Sequence, residues 1–543
     1  MNRTPDDPAD RSIGAPGSAS PGADFLQLNI GDAPTGGRSD WLVRQLRLAI
    51  SDGRLPVGSK LPATRVLAAD LRVSRGVVTE AYQRLTEDGQ VVGRGRAGTI
   101  VVAAPLAAPA PVPADPPPPP PPTAPFLAPP GPDVFDALRT APARIDLSPG
   151  VPDLAAFPRA AWLRAERAVL RDAPASDLGY GDPRGAPALR RAVVNWLARN
   201  RGIRADPDEV LIVAGTAQAL GLIAQVLQRD VPQRDVLRRD VLQRDVLRRD
   251  VPQRDGISAI AVEDPGSLGA RQHLRYWGLA TPPVPVDDQG IRVDVLRASG
   301  ARAVMLTPAH QFPTGVVLGG RRRRELLHWA ATEDGLIIED DYDAEHRYDR
   351  PPVPALRAML AEHVCYAGSV SKLLAPALRV GWLLPPPRFL DAFVNAKRFA
   401  DLGNAALPQY VLAGLMESGE LERRLRLLRT RHRRRRDAMI AAIRTHLPGA
   451  VVHGAAAGLH LTLTFEGPTD TPRTDASSAD VPHANISDTD LAAAALAAGV
   501  KVHPLSWHTQ RPHPPGLVLG YASSPPAAIT EGVSVVGEVL RRL

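Results

Sequence analysis

The sequence predicts a multidomain chain: a small winged helix-turn-helix module, then a large α/β domain built on a largely parallel sheet. Three observations carry this. Residues 41–103 show helical periodicity and a local basic excess, with ten Lys/Arg against five Asp/Glu. Residues 104–133 are an Ala/Pro tract holding seven consecutive prolines, Pro116 to Pro122, a composition that favours extended polyproline II and a semi-rigid spacer. From about residue 145 onward, apolar strand-like runs alternate with helix-length amphipathic stretches, the pattern of a parallel α/β sheet.

The whole chain sets the frame for these segments. At 543 residues it exceeds one domain, and 44% hydrophobic content is ample for sizeable cores. A formal net charge of +7 permits a nucleic-acid partner without demanding one. The single cysteine, Cys365, excludes an intrachain disulfide and fits a reducing compartment. No apolar h-region opens the chain and no run approaches 18 apolar residues, so a cytoplasmic protein with no membrane span is expected. The expected organisation is a disordered tail over 1–38, a DNA-binding domain over 39–103, an Ala/Pro linker over 104–140 and an α/β domain over 141–543. Inside the last, residues 228–255 repeat a pentapeptide of the type QRDVL. A five-residue period keeps its valines on no single helix face and fails strand alternation, so it reads as a solvated insertion.

In the basic segment, Leu42, Leu46 and Ile50 recur at four-residue spacing, and "GRLPVGSKLP" supplies a turn. "ATRVLAADL" is a second short helix with Leu67, Ala68 and Leu71 on one face. Ser74 is placed to cap "RGVVTEAYQRL", whose inward stripe is Val78, Ala81, Tyr82 and Leu85. Two short helices across a tight turn present the second helix's N-terminus to DNA. "GQVVGRGRAGTIVV" then alternates as a hairpin wing with Arg94, Gly95 and Arg96 at its tip.

The second domain poses a sharper question in "GSVSKLLAPALRVGW", where Lys372 stands among small residues. A solvated surface lysine is the plain reading; an amine that forms an imine with an aldehyde cofactor is the other. "GLIIEDDYD" ends a buried-strand run in acids, placing Asp340 at a strand's carboxyl end, where α/β folds collect ligands. A carboxylate there can pair with a protonated pyridine nitrogen, and Tyr342, two residues on, can bond a phenolic ring oxygen. In "VAGTAQAL" the residues Gly215, Thr216 and Ala217 form a strand-to-helix turn suited to phosphate. Arg379 can add the matching cation, and the hydroxyls of Ser369 and Ser371 lie near Lys372.

The head resembles the GntR-type winged helix in "G-x-L-x-x-G-x-x-L-P-x-x-R-x-L-A", "V-S-R-x-x-V-x-x-A-Y-x-x-L-x-x-x-G" and the wing's "G-T". That resemblance implies that Arg65, Ser74, Arg75 and Thr79 face double-stranded operator DNA, with Arg94, Gly95 and Arg96 in the wing. The second domain resembles fold-type I pyridoxal 5'-phosphate (PLP) enzymes of the aspartate aminotransferase superfamily. The whole chain looks like the MocR/GabR regulators, through "YGDPRG", "VEDPG", "TPAHQFPTG", "IIEDDYDAEHRY", "SVSKLLAPALRVGW" and "LGYASSPPAAITEGV". The resemblance implies a homodimer in which Lys372 carries the PLP Schiff base, Asp340 holds the pyridine nitrogen, Tyr342 the ring hydroxyl and Arg379 the phosphate. Tyr180 would reach the neighbouring subunit's phosphate. No metal is expected. The expected function is a PLP-dependent regulator sensing PLP or an amino compound; the alternative is an active aminotransferase carrying a DNA-binding module.

Departures from the pattern are specific. Relatives usually read "EDPGY", whereas here Ser267 offers no ring to stack on the cofactor, an interaction on the order of 1 kcal/mol. Trp507 stands where many relatives have an arginine after "PLS", and Arg511 is the remaining candidate for a substrate carboxylate. A small neighbourhood and nearby Arg379 are expected to lower the Lys372 pKa.

Overall fold

The computed structural model describes residues 28–34, 37–95, 98–102, 124–126, 128–228, 256–343, 345–348, 353–465 and 487–543. The chain divides into two compact units after Pro119. The repeat over 229–255 lies outside the described residues.

The first unit contains α1 (Arg38–Ser51), α2 (Thr64–Asp70), α3 (Arg75–Glu87) and an antiparallel hairpin of β1 (Val91–Gly93) with β2 (Thr99–Val101). The predicted apolar stripes of all three helices meet in one core with Val91 and Val101. The Tyr82 hydroxyl donates to the Pro62 carbonyl at 2.8 Å, tying α3 to the turn before α2. Ser74 occupies the N-cap of α3 with extended backbone, but its side chain makes no capping bond. Packing of Val78, Ala81 and Leu85 therefore holds this helix without that cap. Part of the tail expected over 1–38 is structured. Leu28, Ile30 and Ala33 lean on the same core around a short turn, Ile30–Asp32, because they are the apolar residues nearest it.

The second unit starts inside the expected linker. Phe126 stacks on Trp507 with ring centroids 5.1 Å apart, and α4 (Val134–Thr140) buries Val134 and Leu138 in the same core. Those three apolar side chains draw the end of the Pro-rich segment into the domain. A parallel pair, β3 (Ile145–Asp146) with a strand far along the chain, follows. Next come α5 (Arg159–Asp172), α6 (Pro187–Arg201), β4 (Leu211–Val213), α7 (Thr216–Gln228), β5 (Ala261–Asp264), α8 (Leu268–Tyr276), β6 (Pro283–Asp287) and β7 (Gly290–Ile291). They continue with α9 (Val293–Ala298), β8 (Ala303–Leu306), α10 (Gly320–Thr332), β9 (Leu336–Asp341), β10 (Val364–Ser369) and β11 (Gly381–Leu384).

These strands form an eight-stranded sheet in the order β4-β11-β10-β9-β8-β5-β6-β7. Its centre, β10 through β6, is parallel, while β11 runs against both neighbours and β7 against β6. Helices cover both faces, which is why the strands read as continuous apolar runs. Ile338 and Cys365 enter the core with α7 and α11 (Leu390–Asp401), whereas Ile337 and Val364 enter that of α10. This is the period of two expected of strands. The remainder comprises α12 (Ala406–Glu417), the long α13 (Glu420–His446), β12 (Ala450–His453), β13 (His460–Phe465), α14 (Asp488–Ala497), β14 (Val500–Lys501), β15 (His503–Pro504), β16 (Gly516–Gly520) and α15 (Pro526–Leu540). A four-stranded antiparallel sheet, β12-β13-β16-β15, carries this lobe, and β14 completes the pair with β3. Among the described residues no helix is long and apolar enough to cross a membrane.

Candidate cofactor site and nucleic-acid face

Strand register assembles the site. Asp340 on β9 pairs with Ala367 on β10, and Gly381 on β11 pairs with both Ser369 on β10 and Val213 on β4. The ends of β9, β10 and β4 therefore share one edge, from which Tyr342, Ser371, Lys372, Gly215 and Thr216 emerge. This is the carboxyl edge of the parallel strands, the usual ligand side of an open α/β sheet. Close approach is required there: a Cβ on Gly381 would fall 2.7 Å from the Gly368 carbonyl oxygen and 3.1 Å from the Gly215 Cα.

Lys372 is not a solvated lysine. Its Nζ donates to the Gly150 carbonyl, and burial lowers its pKa while Asp343 and Asp340 push it back up. The sequence reading assigned part of that lowering to Arg379; the structure assigns it to desolvation. Asp340 is raised to about 7, chiefly by burial and then by the charge of Asp341. The Thr216 hydroxyl, donating to Asp340 Oδ1 at 3.4 Å, works in the opposite direction. A carboxyl group half-protonated near neutrality is short of a cation, and a pyridinium nitrogen is such a cation.

At the amino end of α7, Gly215 has φ +83°, and a Cβ built on it would lie 3.6 Å from Arg379 Nη1 and 3.9 Å from Ser371 Oγ. Gly215, Arg379 and Ser371 thus meet beside the amides of Thr216 and Ala217 at the amino end of a helix, a set of donors and charge suited to phosphate. Ser369 is buried and accepts from the Ser371 amide at 3.4 Å. The residues present fit PLP.

Tyr342 brings a contact that sequence reasoning left unassigned. Its hydroxyl is 3.0 Å from His310 Nδ1, which lies 2.9 Å from Asp343 Oδ2. Burial, then the charges of Asp343 and Asp340, lift the phenol well above its ordinary pKa. Both partners were visible in "TPAHQFPTG" and "IIEDDYDAEHRY", but nothing in spacing alone joins them. His310, Asp343 and His460 also form a group whose ligand-capable atoms lie within 4.8 Å of one another. His460 Nε2 lies 3.0 Å from the Pro313 carbonyl oxygen and His310 Nδ1 meets Asp343, while His310 Nε2 is buried with no hydrogen-bond partner among the described residues.

The departures also resolve. Ser267 is the N-cap of α8 and accepts from the Ala270 amide at 3.3 Å, a helix-starting role in place of stacking. Trp507 is buried against Phe126 and Phe135. Arg511, the candidate for a substrate carboxylate, is already paired with Asp264 at 3.2 Å. Tyr180 is 96% exposed and touches none of the Lys372 surroundings within its own chain.

On the first unit, Arg65, Ser74, Arg75, Thr79, Arg94 and Gly95 are all exposed; Arg96 lies outside the described residues. Thr79 donates to the Arg75 carbonyl at 2.9 Å, and Arg75 Nε donates to Thr64 Oγ1 at 3.3 Å. The nearby acids are spent elsewhere, Asp88 on Arg47 and Asp40 and Glu80 on Arg84. Among the described residues no ion pair holds Arg65, Arg75 or Arg94. Three cations on one small unit remain available to phosphates.

Fold and site together define a GntR-type winged helix-turn-helix joined to a fold-type I aminotransferase domain. Residues 39–101 match the bacterial regulatory proteins of the gntR family, and residues 252–505 match aminotransferase class I and II. The chain is 30% identical to the probable rhizopine catabolism regulatory protein MocR of Rhizobium meliloti, over 91% of this chain and 92% of that one. It is 29% identical to the pyridoxine biosynthesis transcriptional regulator PdxR of Corynebacterium glutamicum, over 79% of this chain and 83% of the relative. Among solved structures, the α-aminoadipate aminotransferase LysN of Thermus thermophilus, complexed with N-(5'-phosphopyridoxyl)-L-leucine, aligns with TM-score 0.62 at 25% identity, covering 78% of this chain and 96% of that one. The multiple substrate aminotransferase of Thermococcus profundus aligns with TM-score 0.62 at 27% identity, over 75% and 93%. The chain belongs to the MocR family of HTH-type transcriptional regulators, in which a DNA-binding head is fused to an aminotransferase-like domain.

Proposed function

We propose that this regulator is a cytoplasmic homodimer that binds PLP through Lys372 and couples PLP, or an amino compound meeting it there, to binding of operator DNA. The observation that carries the reading is the convergence at one sheet edge of a buried amine, the cation-short Asp340 and the Gly215–Ser371–Arg379 cradle. When bound, PLP supplies an aldehyde that condenses with amines and a ring that withdraws electrons.

Each residue then has a task. Lys372, unprotonated more readily because it is desolvated, is the covalent anchor. Asp340 keeps the ring nitrogen protonated, and Tyr342 donates to the ring oxygen. Arg379, Ser369, Ser371 and the Gly215–Thr216–Ala217 turn hold the phosphate, to which the exposed Tyr180 adds a contact in the neighbouring subunit. In the head, Arg65, Ser74, Arg75 and Thr79 engage one groove while Arg94, Gly95 and Arg96 follow the backbone. Regulation requires only that the ligand bind two arrangements of the dimer with unequal affinity.

The alternative, an aminotransferase with an accessory head, draws support from the lowered pKa of Lys372, which also suits a proton carrier. Engagement of Arg511 by Asp264 and burial of Trp507 favour sensing over turnover. Two measurements test the reading. Full-length protein mixed with PLP should gain a visible absorbance band that Lys372→Ala lacks; a band retained in that variant rejects Lys372 as anchor. Footprinting on DNA upstream of the gene should change with PLP or an amino ligand, and ordinary enzyme rates with an amino donor and a keto acid would instead promote the alternative.

A further inference from the structure

His310 of "TPAHQFPTG" and Asp343 of "EDDYD" have no role in that account, yet each side chain is only 1% exposed beside Tyr342. The imidazole sits in a slot walled by glycines from two separate turns. A Cβ on Gly458 would fall 2.0 Å from His310 Cε1, and one on Gly315 would fall 3.1 Å from Nε2. Both glycines have positive φ, +83° and +73°, so backbone that suits glycine alone fixes where this ring stands.

Three atoms share the corner, and few proton arrangements satisfy them. The Asp343 carboxylate only accepts, so the proton between it and His310 rides on Nδ1. A protonated Nδ1 cannot accept from Tyr342, so the tyrosine oxygen accepts from that N–H and its own O–H points elsewhere. The two targets are Asp343 and the ring oxygen of a bound pyridoxal.

We propose that His310 and Asp343 are positioning residues that direct the Tyr342 proton, His310 freeing it for the cofactor's ring oxygen and Asp343 competing for it. This rests on the reading of Lys372 as PLP anchor. Charge at the site also comes from Asp340 on β9, Tyr342 just beyond it, Glu263 on β5, His460 on β13, Arg379 before β11 and Lys372 itself. The substitutions below leave all of these unchanged except Tyr342, where it is itself replaced.

The experiment is a spectrophotometric pH titration of full-length protein reconstituted with PLP. Its midpoint balances a proton on the Lys372-bound nitrogen against negative charge on the ring oxygen. Donation from Tyr342 stabilises that negative charge and lowers the midpoint. Asp343→Asn removes both a nearby negative charge and a competitor, so the midpoint falls by about one pH unit. His310→Phe turns the Tyr342 proton toward Asp343, and the midpoint rises. Tyr342→Phe raises it too, and adding His310→Phe to that background shifts it no further. Unmoved midpoints, or shifts of the same sign for Asp343→Asn and His310→Phe, overturn the proposal. If His310→Phe does not fold, the near-isosteric Asp343→Asn decides alone, and anything but a fall overturns it. A native protein with no visible band on adding PLP removes the anchor reading and this proposal together; a band with unmoved midpoints removes this proposal only.

Discussion

The two units treat charge in opposite ways. In the head, Arg65, Arg75 and Arg94 are exposed, and among the described residues no acid pairs with them. On the proposed reading they meet a polyanion whose released counterions supply much of the binding free energy. Around Lys372, by contrast, Asp343, His310 and Glu263 are buried and Asp340 is half-buried, and the acids are met by neighbours: Asp340 by Thr216, Asp343 by His310, Glu263 by Thr307. Exposed charge recognises by availability. Buried charge is shaped by its surroundings, and the Asp340 carboxyl, pushed up to about 7 chiefly by burial, is the perturbed group that singles out this sheet edge as a candidate site.

The contrast can be broken experimentally, most severely at the buried end. Lys372→Ala should abolish the PLP-dependent visible band entirely while leaving specific DNA binding by the unliganded protein detectable in gel shifts. Next in size is the core beneath the exposed cations. Leu46 is fully buried, and Leu46→Ala should destabilise the head by about 2–5 kcal/mol, read in its thermal transition, with the band intact.

A third test uses pH. Burial lowers His346 and His432 to about 3. A folded-state pKa below the unfolded value near 6.5 means the unfolded chain binds protons first. The stability is therefore present above about pH 6.5 and is lost as pH falls toward 3. Each histidine should remove about 2 kcal/mol at pH 5, seen as a falling denaturation midpoint. His432→Phe should flatten that acid limb.

On the exposed side, Arg75→Ala should weaken operator binding about tenfold and reduce the slope of log affinity against log salt by about one. The smallest effect is expected at Ser267. If its hydroxyl caps α8, Ser267→Ala should cost about 1 kcal/mol without altering the visible spectrum. A spectral change there would mean that residue 267 faces the ring after all.

What was legible beforehand follows the range of the contacts. The stripes of α1, α2 and α3 are local, and four-residue spacing reveals them. Asp340, Lys372 and the Gly215 turn were legible because each marks the end of a strand run. The pairing of His310 with Asp343 is not legible locally, since their meeting depends on the course of the chain after β8 and β9. Phe126 and α4 were assigned to the linker because their partner, Trp507, lies near the other end of the domain and no local pattern announces it. Ser267 was read by the tyrosine it replaces, although its own chemistry is that of a helix cap.

The Gly150 carbonyl, which accepts the Lys372 ammonium from 222 residues away, follows the β3–β14 pairing at the entrance to this domain. An ammonium drawn into a covalent link has fewer hydrogens to share, and that oxygen must then find another donor. On the proposed reading of Lys372 as the PLP anchor, the bond to the entering chain draws on the same nitrogen that the cofactor would take. Loading the cofactor would then also remove one of the tethers at the start of the domain, leaving the β3–β14 pairing and the Phe126–Trp507 stack.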